Sequence, residues 1–272
     1  MKTGMLYDEA TIRTVASALR KYYKGRTLRL VCDPVCVSTS GHALLADSAL
    51  GSLIDEILPL ATLITPNKSE AERILSHKRK KVTISSLADM VSASGELLTL
   101  GPKAVLLKGG HVTTTTVEVD ELLARNPGIS TYRYGFLDEN MNILQVGLGG
   151  EDRTPQLVID VLQDSTSESG AEVKTSIFIR PRIESTSKHG TGCTLSAAIS
   201  CGLASQLTSN LPLCLPFSRL TVICSNLSST GSGSKWHDLH LLGDSSRFPC
   251  WCGSRSTGPH PLTSFEIRTP VG

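Results

Sequence analysis

The stretch "STSKHGTGCTLSAAIS" (185–200) changes character halfway along. Small and polar residues lead into Gly190, Thr191, Gly192 and Cys193. An apolar run then puts Leu195, Ile199, Gly202 and Leu203 on one helical face. A Gly-rich loop that opens a helix suits an anion, because the first N–H groups of the helix lack partners and lie at the positive end of its dipole. Gly190 and Gly192 would let the backbone approach that anion closely. The Gly-Thr-Gly pattern by itself serves a plain helix start equally well. No Walker A lysine follows it, so this is not a P-loop. A thiol at the place of Cys193, at the start of a helix, suits a base or an anion-hole member; a buried structural cysteine is the usual alternative.

Upstream of this stretch, short apolar runs alternate with amphipathic ones. Residues 8–24 place Ile12, Val15, Ala16, Leu19 and Tyr23 on one helical face. "TLRLVCDPV" (27–35), "ATLITPN" (61–67) and "KAVLLKGGH" (103–111) predict buried strands. Helices are predicted over 41–59, over 69–76 with Ser69 as cap, and over 85–101. Strands of this kind between helices predict a mostly parallel sheet covered on both faces. Each strand ends in polar or glycine residues (Asp33; Asn67 and Glu70; Lys108 to Gly110), and open α/β sheets bind ligands at that edge. Residues 112–183 are less regular. Thr113 to Thr116 and residues 163–175 predict exposed loop, and 155–164 with 176–183 predict a strand pair.

The 272 residues are 40% hydrophobic but only 4% aromatic, so the core must be aliphatic. A net charge of +2 gives no reason to expect nucleic acid or a membrane surface as partner. No apolar run is long enough to span a membrane and no signal-peptide core is present, so a cytoplasmic location is expected. The eight cysteines would then be mostly reduced, and neither Cys32/Cys36 nor Cys250/Cys252 has the spacing of a zinc site.

"HGTGCTLSAAIS" (189–200) resembles the signature of the hydroxymethylpyrimidine/phosphomethylpyrimidine kinases of thiamine biosynthesis, which have a ribokinase-like fold. Sugar kinases of that superfamily carry Asp where this sequence has Cys193, and the cysteine points to the pyrimidine branch. "KTGML" (2–6), "VCDPVCVSTSGHALL" (31–45), "LITPNKSEAERIL" (63–75), "VLLKGGH" (105–111), "VIDVLQD" (158–164) and "PRIESTSK" (181–188) agree in the family's order and cover nearly all of 1–204. The resemblance implies ATP-dependent phosphorylation of a small-molecule hydroxymethylpyrimidine and of its monophosphate, with ATP and Mg²⁺. It implies Cys193 as catalytic base and Gly190, Thr191 and Gly192 as anion hole. Asp33, Asn67 and Lys108 would bind phosphate or nucleotide, Glu70 and Asn67 would organise Mg²⁺, and Met5 would line the pyrimidine pocket. Without the resemblance, Met5 reads as core, Lys108 as a solvated charge and Glu70 as a helix-start acid. A homodimer is compatible with the resemblance; the sequence itself does not set the oligomeric state.

Two departures shape the expected domains. Family members begin with a strand and a Gly-Ser-Asp loop that hold the pyrimidine, and no such block precedes "MKTGML", so the expected fold is an incomplete ribokinase-like domain over 1–204. Residues 112–154 are expected to be a loop or flap insert. Beyond about residue 205 the periodicity stops, and 205–272 is rich in Ser, Pro, Gly and Cys. The expectation is an irregular tail from a shifted frame or retained intron, which sequencing the transcript across codons 195–220 checks. The rival functions are a pyridoxal/pyridoxine-type kinase and a catalytically incompetent fragment of such a kinase.

Overall fold

Successive residues of a strand point to opposite faces, so a strand that is apolar throughout must be covered on both sides. The computed structural model describes residues 1–24, 28–37, 44–77, 81–110, 112–133, 157–165, 173–181 and 191–205. The chain divides into two units, Met1–Gly233 and Ser234–Gly272, and all described residues fall in the first. Along the chain run β1 (Lys2–Thr3), α1 (Glu9–Tyr22), β2 (Val31–Cys32), α2 (Asp47–Ser52), β3 (Leu63–Ile64), α3 (Lys68–Ser76), α4 (Leu87–Leu98) and β4 (Ala104–Leu107). Then come β5 (Thr113–Thr114), α5 (Thr116–Arg125), β6 (Ser130–Arg133), β7 (Leu157–Asp164), β8 (Lys174–Pro181) and α6 (Thr191–Ser205). After α2 the chain continues as a π-helical turn, Leu53–Ile57, and a 3-10 turn, Leu58–Leu60.

One sheet has the order β1-β2-β3-β4-β7-β8-β6, with β5 beside β7. Strands β1 to β4 are parallel; β2, β3 and β4 are the predicted strands, and β1 adds an edge strand that was not predicted. Strand β7 runs antiparallel to both β4 and β8, and β6 is parallel to β8, so the far half of the sheet is mixed. The faces separate residue by residue. Cys32, Ile64, Val105, Leu107, Ile159 and Val161 join one core with helices α1 to α4, while Val31, Leu63, Ala104, Leu106, Leu162 and Phe178 join another with Leu195, Ile199 and Leu203 of α6.

The residues flanking β2 hold α6 in place. Arg29 donates to the carbonyl of Leu203 at 2.7 Å, and Ser196 lies 3.2 Å from the Asp33 carboxylate. Four residues of strand rise about 13 Å. Seven residues of helix rise about 10 Å. The two spans match, and α6 therefore lies antiparallel to β2.

Local chemistry corrects two expectations. Helix α3 is capped by Asn67, not by Ser69. The Asn67 side chain accepts from the Glu70 N–H at 2.9 Å, and the Glu70 carboxylate accepts from the Asn67 N–H at 2.8 Å. Residues 113–133 are not a loop insert; they carry β5, α5 and β6. Thr113 and Thr114 pair with β7, and Thr115 with Glu118 forms the box that starts α5. A run of four threonines hides this, because the strand pair and the cap use the same residue type. Residues 134–154 lie outside the described residues, as does the tail from 206.

Gly109 must be glycine for lack of space. A Cβ there would overlap the carbonyl oxygen of Ile159 and crowd the Met90 methyl. Its N–H donates to the buried Asp160 carboxylate at 2.9 Å, which also pairs with Arg180 at 2.6 Å. At Gly110 a Cβ would meet nothing within 4 Å. Gly109→Ala should therefore lower the unfolding free energy in urea by about 2 kcal/mol. Gly110→Ala should change it by less than about 0.5 kcal/mol.

Candidate active site at the carboxyl edge of the sheet

The parallel strands end in step. The Asp33 N–H donates to Thr3 O at 3.0 Å, the Thr65 N–H to Cys32 O at 3.0 Å, and the Lys108 N–H to Pro66 O at 2.8 Å. This register brings the polar residue that follows each strand to one edge, where α6 begins.

Asp33 is the hub. It is 1% exposed, yet a lone buried carboxylate is costly and must find donors. Lys108 Nζ lies 3.1 Å from Oδ1, and the Thr65 hydroxyl donates to the same oxygen at 3.2 Å. Ser196 Oγ approaches Oδ2 at 3.2 Å, and Lys2 Nζ reaches it at 4.0 Å. Ser196 also lies 3.0 Å from the carbonyl of Cys193, and its single proton serves one acceptor or the other. Of these partners, sequence reasoning finds only Lys108. Lys2, Thr65 and Ser196 were missed; a buried Asp at a strand end needs donors, and a serine in the first turns of a helix above it was the available signal.

Lys108 also defines the start of α6. A Cβ on Gly192 would stand 2.9 Å from Lys108 Nζ, so only glycine lets the ammonium lie against that turn. Thr191 opens α6, and Cys193 is exposed one residue beyond Gly192. The solvated-charge reading of Lys108 thus fails, since its side chain is mostly buried and paired. Gly190 lies outside the described residues.

Glu70 is 3% exposed. Burial pushes its carboxyl up to about 7; the Lys108 charge and the Asn67 N–H oppose the shift, and Asp33 adds to it. Asn67 and Glu70 therefore do a structural job, the capping box, at the same place where the resemblance implies a cation. Met5 is not core. It is 45% exposed in the loop two residues beyond β1. Cys32 and Cys36 are free and buried, and burial pushes both thiols up to about 12, which makes them inert. Cys250 and Cys252 lie outside the described residues.

The residues present fit phosphate: an ammonium stands against Gly192 in the first turn of α6, where a helix has N–H groups without intrahelical partners. They also fit a Mg²⁺ that keeps waters and phosphate oxygens as ligands. Among the described residues no group of three or more His, Cys, Asp or Glu forms a cage, and Glu70 offers one hard carboxylate near the Lys108 charge.

Known proteins share this arrangement of blocks. A hydroxymethylpyrimidine/phosphomethylpyrimidine kinase of Streptomyces coelicolor is 31% identical over 204 residues, which cover 75% of this chain and 54% of the relative. The chain thus spans about half the length of that relative. The crystal structure of phosphomethylpyrimidine kinase from Clostridium difficile superposes with a TM-score of 0.52 at 26% identity, covering 83% of this chain and 67% of the other. Pyridoxal kinase from Staphylococcus aureus, solved with AMP-PCP, gives a TM-score of 0.54 at 20% identity over 87% of this chain and 64% of that one; this likeness shows a shared fold. The family model described as phosphomethylpyrimidine kinase matches residues 1–142 and 148–211, which takes in every strand of the sheet edge and α6. The chain belongs to the phosphomethylpyrimidine kinase family.

Proposed function

We propose that this chain phosphorylates 4-amino-5-hydroxymethyl-2-methylpyrimidine and then its monophosphate, with ATP as donor, in thiamine biosynthesis. The observation that carries the reading is the placement of Lys108 Nζ against Gly192, with Cys193 exposed on the next residue. Phosphoryl transfer needs positioning and charge stabilisation more than covalent chemistry, and these groups supply both.

Each residue has a distinct part. Lys108 offsets the charge on the transferred group, and the N–H groups of Thr191, Gly192 and Cys193 at the start of α6 receive its oxygens; the resemblance adds Gly190 to this anion hole. Cys193 takes the proton of the acceptor hydroxymethyl group as its oxygen attacks. Asp33 orients Lys108 through Oδ1. Glu70 and the Asn67 turn would hold Mg²⁺, which would supply neutralisation of phosphate charge. Met5 faces the pyrimidine.

Incubating the chain with Mg·ATP and hydroxymethylpyrimidine, and following products by mass spectrometry, tests the reading. Monophosphate and then diphosphate are expected, with pyridoxal left unphosphorylated. Preference for pyridoxal, or no thermal stabilisation by Mg·ATP, contradicts it. Cys193→Ala should lower turnover about 10²–10³-fold with Mg·ATP affinity retained. Lys108→Met should weaken Mg·ATP binding about tenfold or more.

The pH response of stability follows from Glu70. Its carboxyl stands at about 7 folded against an ordinary 4.5, so between those values the folded state holds the extra proton. The stability of the free protein should therefore fall as pH rises from 4.5 to 7, and Glu70→Gln should flatten that fall in urea unfolding. An unchanged slope in the variant would assign the effect elsewhere.

A further inference from the structure

A lysine on an edge strand ordinarily extends its ammonium into water. Lys2 does not. Its side chain is 23% exposed, its Nζ lies 3.1 Å from where a Cβ on Gly4 would stand, and Asp33 Oδ2 is 4.0 Å away. Asp33 is already satisfied without it, through Lys108 at 3.1 Å and the Thr65 and Ser196 hydroxyls. Among the described residues Asp33 is the one carboxylate within ion-pair distance of Lys2. The two ammonium groups share this carboxylate, with Glu70 also in the field of Lys108, and like charges held this close repel, so an anion beside Lys2 is favoured.

The two cations face different parts of the edge. Lys108 stands against Gly192 at the start of α6. Lys2 folds back over Gly4, next in the chain to Met5. We propose that Lys2 binds the phosphate that a pyrimidine monophosphate already carries when that molecule is the phosphoryl acceptor. The inference rests on the functional reading above. In this step an oxygen of the acceptor phosphate bonds to the γ-phosphorus of ATP. The bond from that phosphorus to the bridging oxygen breaks, and ADP leaves with the electron pair. Acceptor and donor are both anionic here, and Lys2 offsets the repulsion on the acceptor side. The hydroxymethyl acceptor brings no such charge. Lys2 therefore determines specificity for the second phosphorylation and is dispensable for the first.

Calorimetric titration of the full chain tests this with three separate ligands: phosphomethylpyrimidine, hydroxymethylpyrimidine and Mg·AMP-PNP. Lys2→Met should weaken phosphomethylpyrimidine at least about tenfold. It should leave hydroxymethylpyrimidine and the nucleotide within about twofold. Lys2→Arg should restore most of the loss. Equal loss on both pyrimidines, no loss on the monophosphate, or loss of nucleotide binding in Lys2→Met would each overturn the assignment. The last of these would make Lys2 a support for Asp33. A wild-type chain that binds nucleotide but neither pyrimidine overturns the functional reading itself, and the role of Lys2 with it.

Discussion

A single buried charge organises this sheet edge. Asp33 sits at the end of β2 with almost no contact with water, and a carboxylate in that position must be paired and hydrogen-bonded. Its close partners come from three separate elements, Thr65 after β3, Lys108 after β4 and Ser196 of α6, with Lys2 of β1 farther off at 4.0 Å. Satisfying one carboxylate thus fixes the strand ends and the start of α6 relative to one another. Arg29 completes the attachment from the other end of β2 by taking the carbonyl of Leu203.

Lys108 is held from both sides. Its ammonium pairs with Asp33, and the backbone of the next residue is tied to Asp160 through the Gly109 N–H. Asp160 is itself buried and balanced by Arg180 at the end of β8. The consequence is rigidity where the proposed phosphoryl transfer needs it, since a cation free to move would lose orientation and give up much of its effect on a developing charge. Glycine at 109 and 192 serves the same end by different means. At 109 it admits the Ile159 backbone, and at 192 it admits the Lys108 ammonium.

Much of this was legible in the sequence, for identifiable reasons. Continuous apolar runs closed by Asp33-Pro34, Pro66-Asn67 and Lys108-Gly109 mark strands buried on both faces, and the structure places those ends in register. The helix after Cys193 was readable from Leu195 and Ile199, both buried. What escaped depends on contacts across the chain. Ser196 and Thr65 look like ordinary small polar residues until Asp33 lies between them. Lys2 looks like a surface charge until Gly4 lets it fold back. Thr113 to Thr115 carry strand and cap in a run that has the composition of a loop. Ser69 competed with Asn67 as cap, and the reciprocal bond from Glu70 decided it.

The central claim is that Asp33 couples α6 to Lys108, so that the proposed anion site is one unit rather than two neighbouring features. A double-mutant cycle on Asp33→Asn and Ser196→Ala, read in Mg·ATP affinity by calorimetry, tests that coupling most directly. The account predicts an interaction term of about 1 kcal/mol or more, because either change already breaks the Asp33–Ser196 link. Additive losses within about 0.3 kcal/mol would contradict it.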